Sequence, residues 1–129
     1  MKEQVLDTNV LLFFLQDHPR LPEVAATRIE SPAHRSIVSM ASLWEISIKT
    51  TLGKLRYAPA EDPNFTDRLR MLGFELQPMR WEVMLRAKGL PQLHRDPFDR
   101  YLVAEALERN APLLSTDRKL DMYGVNRIG

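Results

Sequence analysis

Cysteine is absent from this chain of 129 residues, so disulfides, thiolate metal sites and a cysteine nucleophile are all excluded. A lack of disulfides is typical of proteins in a reducing compartment, and we expect a cytoplasmic protein. Long apolar runs are also missing. The apolar run at residues 10–15 is far too short to span a membrane, and no small-residue cleavage site follows it. We therefore expect neither a membrane contact nor a signal peptide.

The composition also lacks a strong charge of either sign. Lys and Arg total 18, Asp and Glu total 17, and the net charge is +1. Charge balance alone gives no argument for nucleic-acid binding, although the basic residues are numerous enough to surround an acidic pocket. A chain of this length with 44% apolar residues is typical of a globular protein, and we predict a single domain over residues 1–129.

Short apolar segments alternate with longer amphipathic ones along the whole chain. Strands are predicted at residues 4–7, 36–39, 74–77, 113–116 and, at the end, 125–128. Helices are predicted at residues 8–16, 22–30, 41–52, 65–72, 81–88, 97–110 and 118–123. This alternation predicts an α/β fold in which a short, mostly parallel sheet is flanked by helices on both faces. Ligands of such sheets bind beyond the carboxyl ends of the strands.

Four acidic residues stand where apolar segments end or where the chain should be buried: Asp7, Glu45, Asp99 and Asp117. Asp7 and Asp117 close predicted strands, so they share one edge of the sheet if those strands are parallel neighbours. Asp99 shares a helical face with an apolar stripe. A buried carboxylate is costly unless a cation or hydrogen-bond donors compensate it. Together the four acids indicate a shared cation.

The helix at residues 41–52 has apolar residues on more than one face. Its spacing predicts that Trp44, Ile48 and Leu52 face the core, with Glu45 at the border of that stripe. Ile46 then lies roughly opposite. That second apolar face indicates either a partner surface or a helix buried on all sides. Trp81 is also expected in the core.

Each acid also has a purely structural interpretation. Asp7 and Asp117 are suited to cap the helices that follow them. Asp99 is suited to a capping box that begins at Asp96. Glu45 is suited to pair with Lys49, one turn further along the helix.

Oxygen ligands select hard cations, above all Mg²⁺ or Mn²⁺. Zinc is disfavoured, because His18, His34 and His94 show no paired spacing and thiolates are absent. Carboxylate sites for Mg²⁺ hydrolyse phosphodiesters by polarising the phosphate and activating water. The motifs of other catalytic classes, such as a Gly-rich phosphate loop or a Gly-x-Ser-x-Gly elbow, are missing.

Four segments resemble the motifs of PIN-domain nucleases, in the same order along the chain. They are residues 6–12 (Leu-Asp-Thr-Asn-Val-Leu-Leu), residues 39–55 around Trp-Glu-Ile, residues 94–100 (His-Arg-Asp-Pro-Phe-Asp-Arg) and residues 114–117 (Leu-Ser-Thr-Asp). The match runs nearly end to end. It is greatest for the VapC-like group, the toxins of bacterial and archaeal toxin–antitoxin pairs.

The resemblance implies a PIN-like three-layer sandwich and an endoribonuclease that depends on Mg²⁺ or Mn²⁺. It places the catalytic and metal-binding acids at Asp7, Glu45, Asp99 and Asp117, and it gives Asn9 a hydrogen bond that orients them. It also implies a single-stranded RNA substrate, a homodimer, and a small antitoxin protein that blocks the cleft.

Three residues beside the acids have two interpretations each. Asp96 is either the N-cap of the helix that starts at Pro97 or a member of the site. Arg100 either contacts a substrate phosphate or is a solvent-facing charge on its helix. Thr116 either positions water or phosphate or serves in packing.

Two other classes of function are open to this sequence. One is a receiver-type signalling domain in which Asp7 accepts a phosphoryl group, but this leaves Asp99 without a role. The other is a catalytically inactive PIN-fold module that binds RNA or protein. The presence of all four acids argues against such a loss of activity.

Overall fold

Five short strands form one sheet in which every neighbouring pair is parallel. The computed structural model describes residues 2–129. The strands are β1 Lys2–Leu6, β2 His34–Ser39, β3 Glu75–Gln77, β4 Leu113–Leu114 and β5 Arg127–Ile128, and their spatial order is β3-β2-β1-β4-β5. Parallel neighbours need long crossover connections, and helices supply most of these.

Six α-helices connect and cover the strands. They are α1 Thr8–Leu15, α2 Glu23–Glu30, α3 Met40–Thr51, α4 Phe65–Met71, α5 Trp81–Gly89 and α6 Pro97–Arg109. Two 3₁₀ segments lie at Ala58–Glu61 and Arg118–Tyr123. Each predicted helix and strand is present, with ends within two residues of those expected. The predicted three-layer α/β sandwich is confirmed.

The sheet is buried on both faces, and alternate residues of each strand enter different cores. Val5 of β1 belongs to a cluster that includes residues of α5 and α6. Its neighbour Leu6 belongs to a second cluster with residues of α1, α2 and α4. Leu113 and Leu114 of β4 divide between the two clusters in the same way. This double burial explains why the strand residues nearest the carboxyl edge, such as residues 5–6 and 113–114, are consecutive apolar residues.

The register of the two central strands fixes where the chain leaves the sheet. Leu6 of β1 pairs with Leu114 of β4, so both strands end at the same level. The Asp7 amide donates to the Leu114 carbonyl at 2.9 Å, which continues the pairing by one step. The chain segments that carry Asp7 and Asp117 therefore emerge side by side, as expected for parallel neighbours.

The orientation of α3 differs from the predicted one. Ile46 is only 1% exposed and lies in the core, whereas Trp44 and Leu52 are 59% and 62% exposed. The inward face carries the polar residues Ser42 and Glu45 together with Ile46, at the spacing of one helical turn. The predicted orientation was wrong because α3 directs polar side chains, and not its apolar stripe, towards the edge of the sheet.

Two further features concern the surface. Trp81, expected in the core, is 68% exposed at the start of α5. No helix within residues 2–129 is both long enough and apolar enough to cross a membrane.

The observed orientation of α3 leads to a prediction about the stability of the protein. Ile46→Ala should lower the free energy of unfolding by about 2–4 kcal/mol, because it leaves a cavity in the core. Trp44→Ala on the exposed face should cost less than about 1 kcal/mol. Urea unfolding of the two variants and the wild type measures both values. A larger loss for Trp44→Ala than for Ile46→Ala would contradict the observed orientation.

Candidate active site

Four acidic side chains meet at the carboxyl edge of the sheet, although they come from four different segments. Asp7 follows β1, Asp117 follows β4, Glu45 lies in α3 and Asp99 lies in the first turn of α6. The negative charges of the other three all act on the carboxyl group of Asp99. The fold therefore brings together four acids that are far apart in the sequence.

Asp7 is buried, with 5% of its surface exposed. It occupies the N-cap position of α1, yet its side chain makes no capping hydrogen bond. Instead, its Oδ2 accepts a hydrogen bond of 2.6 Å from the Ser115 hydroxyl. Burial is the largest cause that raises the pKa of Asp7, the Ser115 hydrogen bond opposes it, and the charges of Glu45 and Asp117 add to it; the resulting pKa is about 6.

Asp99 experiences the strongest effect of the shared negative charge. Burial, and after it the charges of Asp7, Asp96, Glu45 and Asp117 in that order, together raise the pKa of its carboxyl to about 8. A carboxyl that resists ionisation at neutral pH lacks sufficient positive compensation. In the metal-free protein, the ionised cluster is therefore costly.

Glu45 is 3% exposed, and only one of its two carboxylate oxygens accepts a hydrogen bond. Its Oε2 accepts a hydrogen bond of 2.6 Å from the Lys49 ammonium, so the predicted helical pair does form. Its Oε1 is buried and has no hydrogen-bond partner within the described residues 2–129. Burial lowers the pKa of Lys49, but the hydrogen bond to Glu45 and the charges of Glu45, Asp96 and Asp99 outweigh it and raise that pKa overall.

Asp117 both caps a helical segment and belongs to the cluster. Its Oδ1 accepts a hydrogen bond from the Lys119 amide at 3.0 Å, at the start of the 3₁₀ segment. Its Oδ2 lies 3.1 Å from Nε2 of His94. The same nitrogen is 3.5 Å from Oδ2 of Asp99. Ligand atoms of His94, Asp99 and Asp117 all lie within 4.8 Å of one another, a spacing compatible with a shared ion.

Asp96 acts as the N-cap of α6. Its Oδ1 accepts hydrogen bonds from the amides of Phe98 at 2.8 Å and Asp99 at 3.2 Å. These bonds fix the first turn of α6 and with it the position of Asp99. Its charge nevertheless reaches the site, because it helps to raise the pKa of Asp99.

Arg100 has a structural role and does not point towards a substrate. Its guanidinium is buried and donates to the carbonyls of Pro91, Ala87 and Leu90 at 2.8–2.9 Å, and to the Tyr123 hydroxyl at 3.2 Å. All these acceptors lie on the α5 side of α6 or on the last 3₁₀ segment. This placement contradicts both interpretations made from the sequence, which were a phosphate contact and a solvent-facing charge.

Asn9 and Thr116 lie next to the acids in sequence but are exposed. The hydrogen bond that orients Asp7 comes from Ser115, whereas the family resemblance assigned that task to Asn9. Thr116 lies between Ser115 and Asp117 in the bend after β4.

Two members of the site were not found from the sequence: Ser115 and His94. Each lies two residues before an aspartate that caps a helical segment, Asp117 and Asp96 respectively, and accepts a hydrogen bond from its amide at 3.1 Å. The signal that the sequence offered for these two residues was a polar side chain two positions before each aspartate. Amino-acid composition and hydrophobic periodicity do not reveal such a pair.

Comparison with known protein families gives one match. Residues 5–126 match the family model described as "PIN domain". None of the curated proteins matches the chain significantly.

Three solved structures illustrate that this architecture is shared with other proteins. A structure described as VapBC2 from Rickettsia felis bound to a DNA fragment from their promoter gives a TM-score of 0.69 at 15% identity, with 98% of this chain and 97% of that chain covered. VapBC-1 from nontypeable Haemophilus influenzae gives 0.66 at 18% identity, covering 98% and 96%. FitAcB from Neisseria gonorrhoeae gives 0.63 at 15% identity, also covering 98% and 96%. At these identities the likeness establishes a shared fold.

The raised pKa of Asp99 predicts how stability depends on pH. Aspartate in the unfolded chain ionises near pH 4, whereas folded Asp99 ionises near pH 8. Between these values the folded protein holds more protons, so the stability of the metal-free protein should fall as pH rises. Asp99→Asn should therefore raise the melting temperature by several degrees at pH 8 and much less at pH 5.

The matched control is Asp67→Asn, which removes an exposed aspartate on α4. Its melting temperature should follow that of the wild type at both pH values. Thermal unfolding in the presence of EDTA provides the measurement. An Asp99→Asn variant with equal effects at pH 5 and pH 8 would show that the cluster does not penalise ionisation of Asp99.

Proposed function

The chain belongs to the PIN domain family, and from this premise we propose that it is a metal-dependent endoribonuclease that hydrolyses phosphodiester bonds in single-stranded RNA. The observation that carries the proposal is the convergence of Asp7, Glu45, Asp99 and Asp117 at one edge of the sheet, where the charges of the other three all act on Asp99. Buried carboxylates at such density are costly for a protein that only folds or binds. Their retention favours catalysis over an inactive binding module.

The donor set fits a hard divalent cation. Glu45 Oε1 is buried without a partner, and the pKa values of Asp7 and Asp99 are raised to about 6 and about 8. A cation between these groups would supply both the missing partner and the missing charge. Carboxylate oxygens suit Mg²⁺ or Mn²⁺. We assign Asp7, Glu45, Asp99 and Asp117 to hold it.

When bound, such a cation polarises the phosphate and lowers the pKa of water. The chain itself contributes orientation. Ser115 fixes the Asp7 carboxylate, and the Asp96 cap fixes the turn of α6 that carries Asp99. Hydrolysis then adds water to phosphorus, one ester P–O bond breaks, and the leaving oxygen takes a proton. No side-chain nucleophile enters this scheme.

The proposed biological role is the toxin of a toxin–antitoxin pair. Its support is the shared fold with VapC-type chains in VapBC and FitAB complexes. We propose a small antitoxin protein and a second copy of the chain as partners. Large apolar side chains are exposed at Trp44, Trp81, Met71 and Leu72 and are available to such partners. We also propose that the protein acts in the cytoplasm, in keeping with its lack of cysteine.

Cleavage of a labelled pool of single-stranded RNAs tests the activity. The wild type should cut in Mg²⁺ or Mn²⁺ and stop in EDTA. Asp7→Asn and Asp99→Asn should each lower the rate by about 100-fold or more, because each removes a charge that the transition state requires. The rates are read from product bands on a denaturing gel.

The matched control for this assay is Glu108→Gln, which removes one negative charge from the same helix as Asp99 but on its exposed side. It should cut at the wild-type rate. Cleavage that survives both aspartate substitutions would assign the activity to a contaminant. RNA binding without cleavage across diverse sequences would favour the binding module.

The toxin role makes a separate prediction about cells. Induced expression of the wild-type chain in bacteria should arrest growth, and Asp7→Asn expressed to the same level should not. Colony counts after induction and an immunoblot provide the comparison. Normal growth with the active wild type at high level would leave a ribonuclease that is not a toxin.

A further inference from the structure

His94 lies inside the acid cluster although it has no carboxylate of its own. Its side chain is mostly buried, and its Nε2 is 3.1 Å from Asp117 Oδ2 and 3.5 Å from Asp99 Oδ2. These two aspartates repel each other, and each comes from a different segment of the chain. A group that contacts both is placed to control their separation.

The other ring nitrogen identifies which atom carries the proton. Nδ1 of His94 accepts a hydrogen bond of 3.1 Å from the Asp96 amide. A ring nitrogen that accepts a hydrogen bond carries no proton, so the proton lies on Nε2. Nε2–H therefore donates to Asp117. For the same reason, Nε2 has no free lone pair for a metal in this arrangement.

The contact belongs to a continuous chain of hydrogen bonds. Asp117 accepts from His94, His94 accepts from the Asp96 amide, and the Asp96 carboxylate accepts from the Asp99 amide. The loop after β4 is thereby connected to the first turn of α6. Asp117 keeps room for a metal, because each carboxylate has about four acceptor positions and only two are engaged, by His94 and Lys119.

We propose that His94 is a positioning residue of the metal centre: its Nε2–H holds the Asp117 carboxylate beside Asp99 without binding the metal itself. The inference rests on the proposed function, because it assumes that these acids bind a divalent cation. Hydrogen bonds to metal-binding carboxylates typically change metal affinity by about 10- to 100-fold. Loss of the donor should weaken binding by that factor.

The test is a titration of the full chain with Mn²⁺ alone, in which free Mn²⁺ is followed by its electron paramagnetic resonance signal. His94→Ala should raise the Kd for Mn²⁺ by about 10- to 100-fold. His94→Gln should restore most of the affinity, because its terminal amide N–H reaches a position close to that of Nε2. With RNA present, His94→Ala should need more Mn²⁺ for half-maximal cleavage but approach the wild-type rate at saturation.

His18→Ala is the matched control. Nδ1 of His18 accepts a hydrogen bond of 3.0 Å from the Arg20 amide, with the same two-residue spacing as the His94–Asp96 contact. His18 lies in the turn after α1 and is absent from the acid cluster. This variant removes an equivalent turn contact and should bind Mn²⁺ like the wild type.

The outcomes separate this proposal from the one on which it rests. Unchanged Mn²⁺ affinity in His94→Ala, together with a loss of binding in Asp99→Asn, would overturn the role of His94 alone. Strong ¹⁴N modulation from a directly bound imidazole in pulsed spectra of the Mn²⁺ complex would also overturn it, since His94 would then be a ligand. Failure of the wild type to bind Mn²⁺ would overturn both proposals.

Discussion

The repulsion among buried carboxylates at the carboxyl edge of the sheet is the constraint on which the local structure depends. Burial and mutual repulsion raise the pKa of Asp99 to about 8 and that of Asp7 to about 6. Such a cluster would spread apart in a flexible loop. Here each acid is attached to a helix or follows the end of a strand, where the backbone cannot yield without disrupting the core.

The fold supplies that rigidity through register. Leu6 and Leu114 end neighbouring strands at one level, and both side chains are fully buried in the same core. A shift of register by one residue would exchange the two faces of a strand and separate Asp7 from Ser115. The packing that stabilises the sheet therefore also sets the geometry of the acids.

The sequence predicted the helices and strands well, and it predicted that the four acids lie near one another, because turns, caps and strand ends leave local signals. It predicted the face of α3 wrongly, since Trp44 and Ile46 offer two apolar faces and only the tertiary structure selects between them. The sequence could not predict the role of Arg100 either, because three of its four acceptors are backbone carbonyl groups, which every residue has. Ser115 and His94 were missed for a related reason: their partners lie about 108 and 23 residues away.

The groups that hold the acids are mostly neutral, and this explains how the site can be ordered and still attract a cation. A hydroxyl orients Asp7, an imidazole N–H and a backbone amide orient Asp117, and backbone amides fix Asp96. Among residues 2–129, only Lys49 brings a formal positive charge into direct contact, and it satisfies just one oxygen of Glu45. Arginines in these positions would have neutralised the cluster. Neutral donors set the direction of each carboxylate but leave its charge, so the negative potential required for a divalent ion persists.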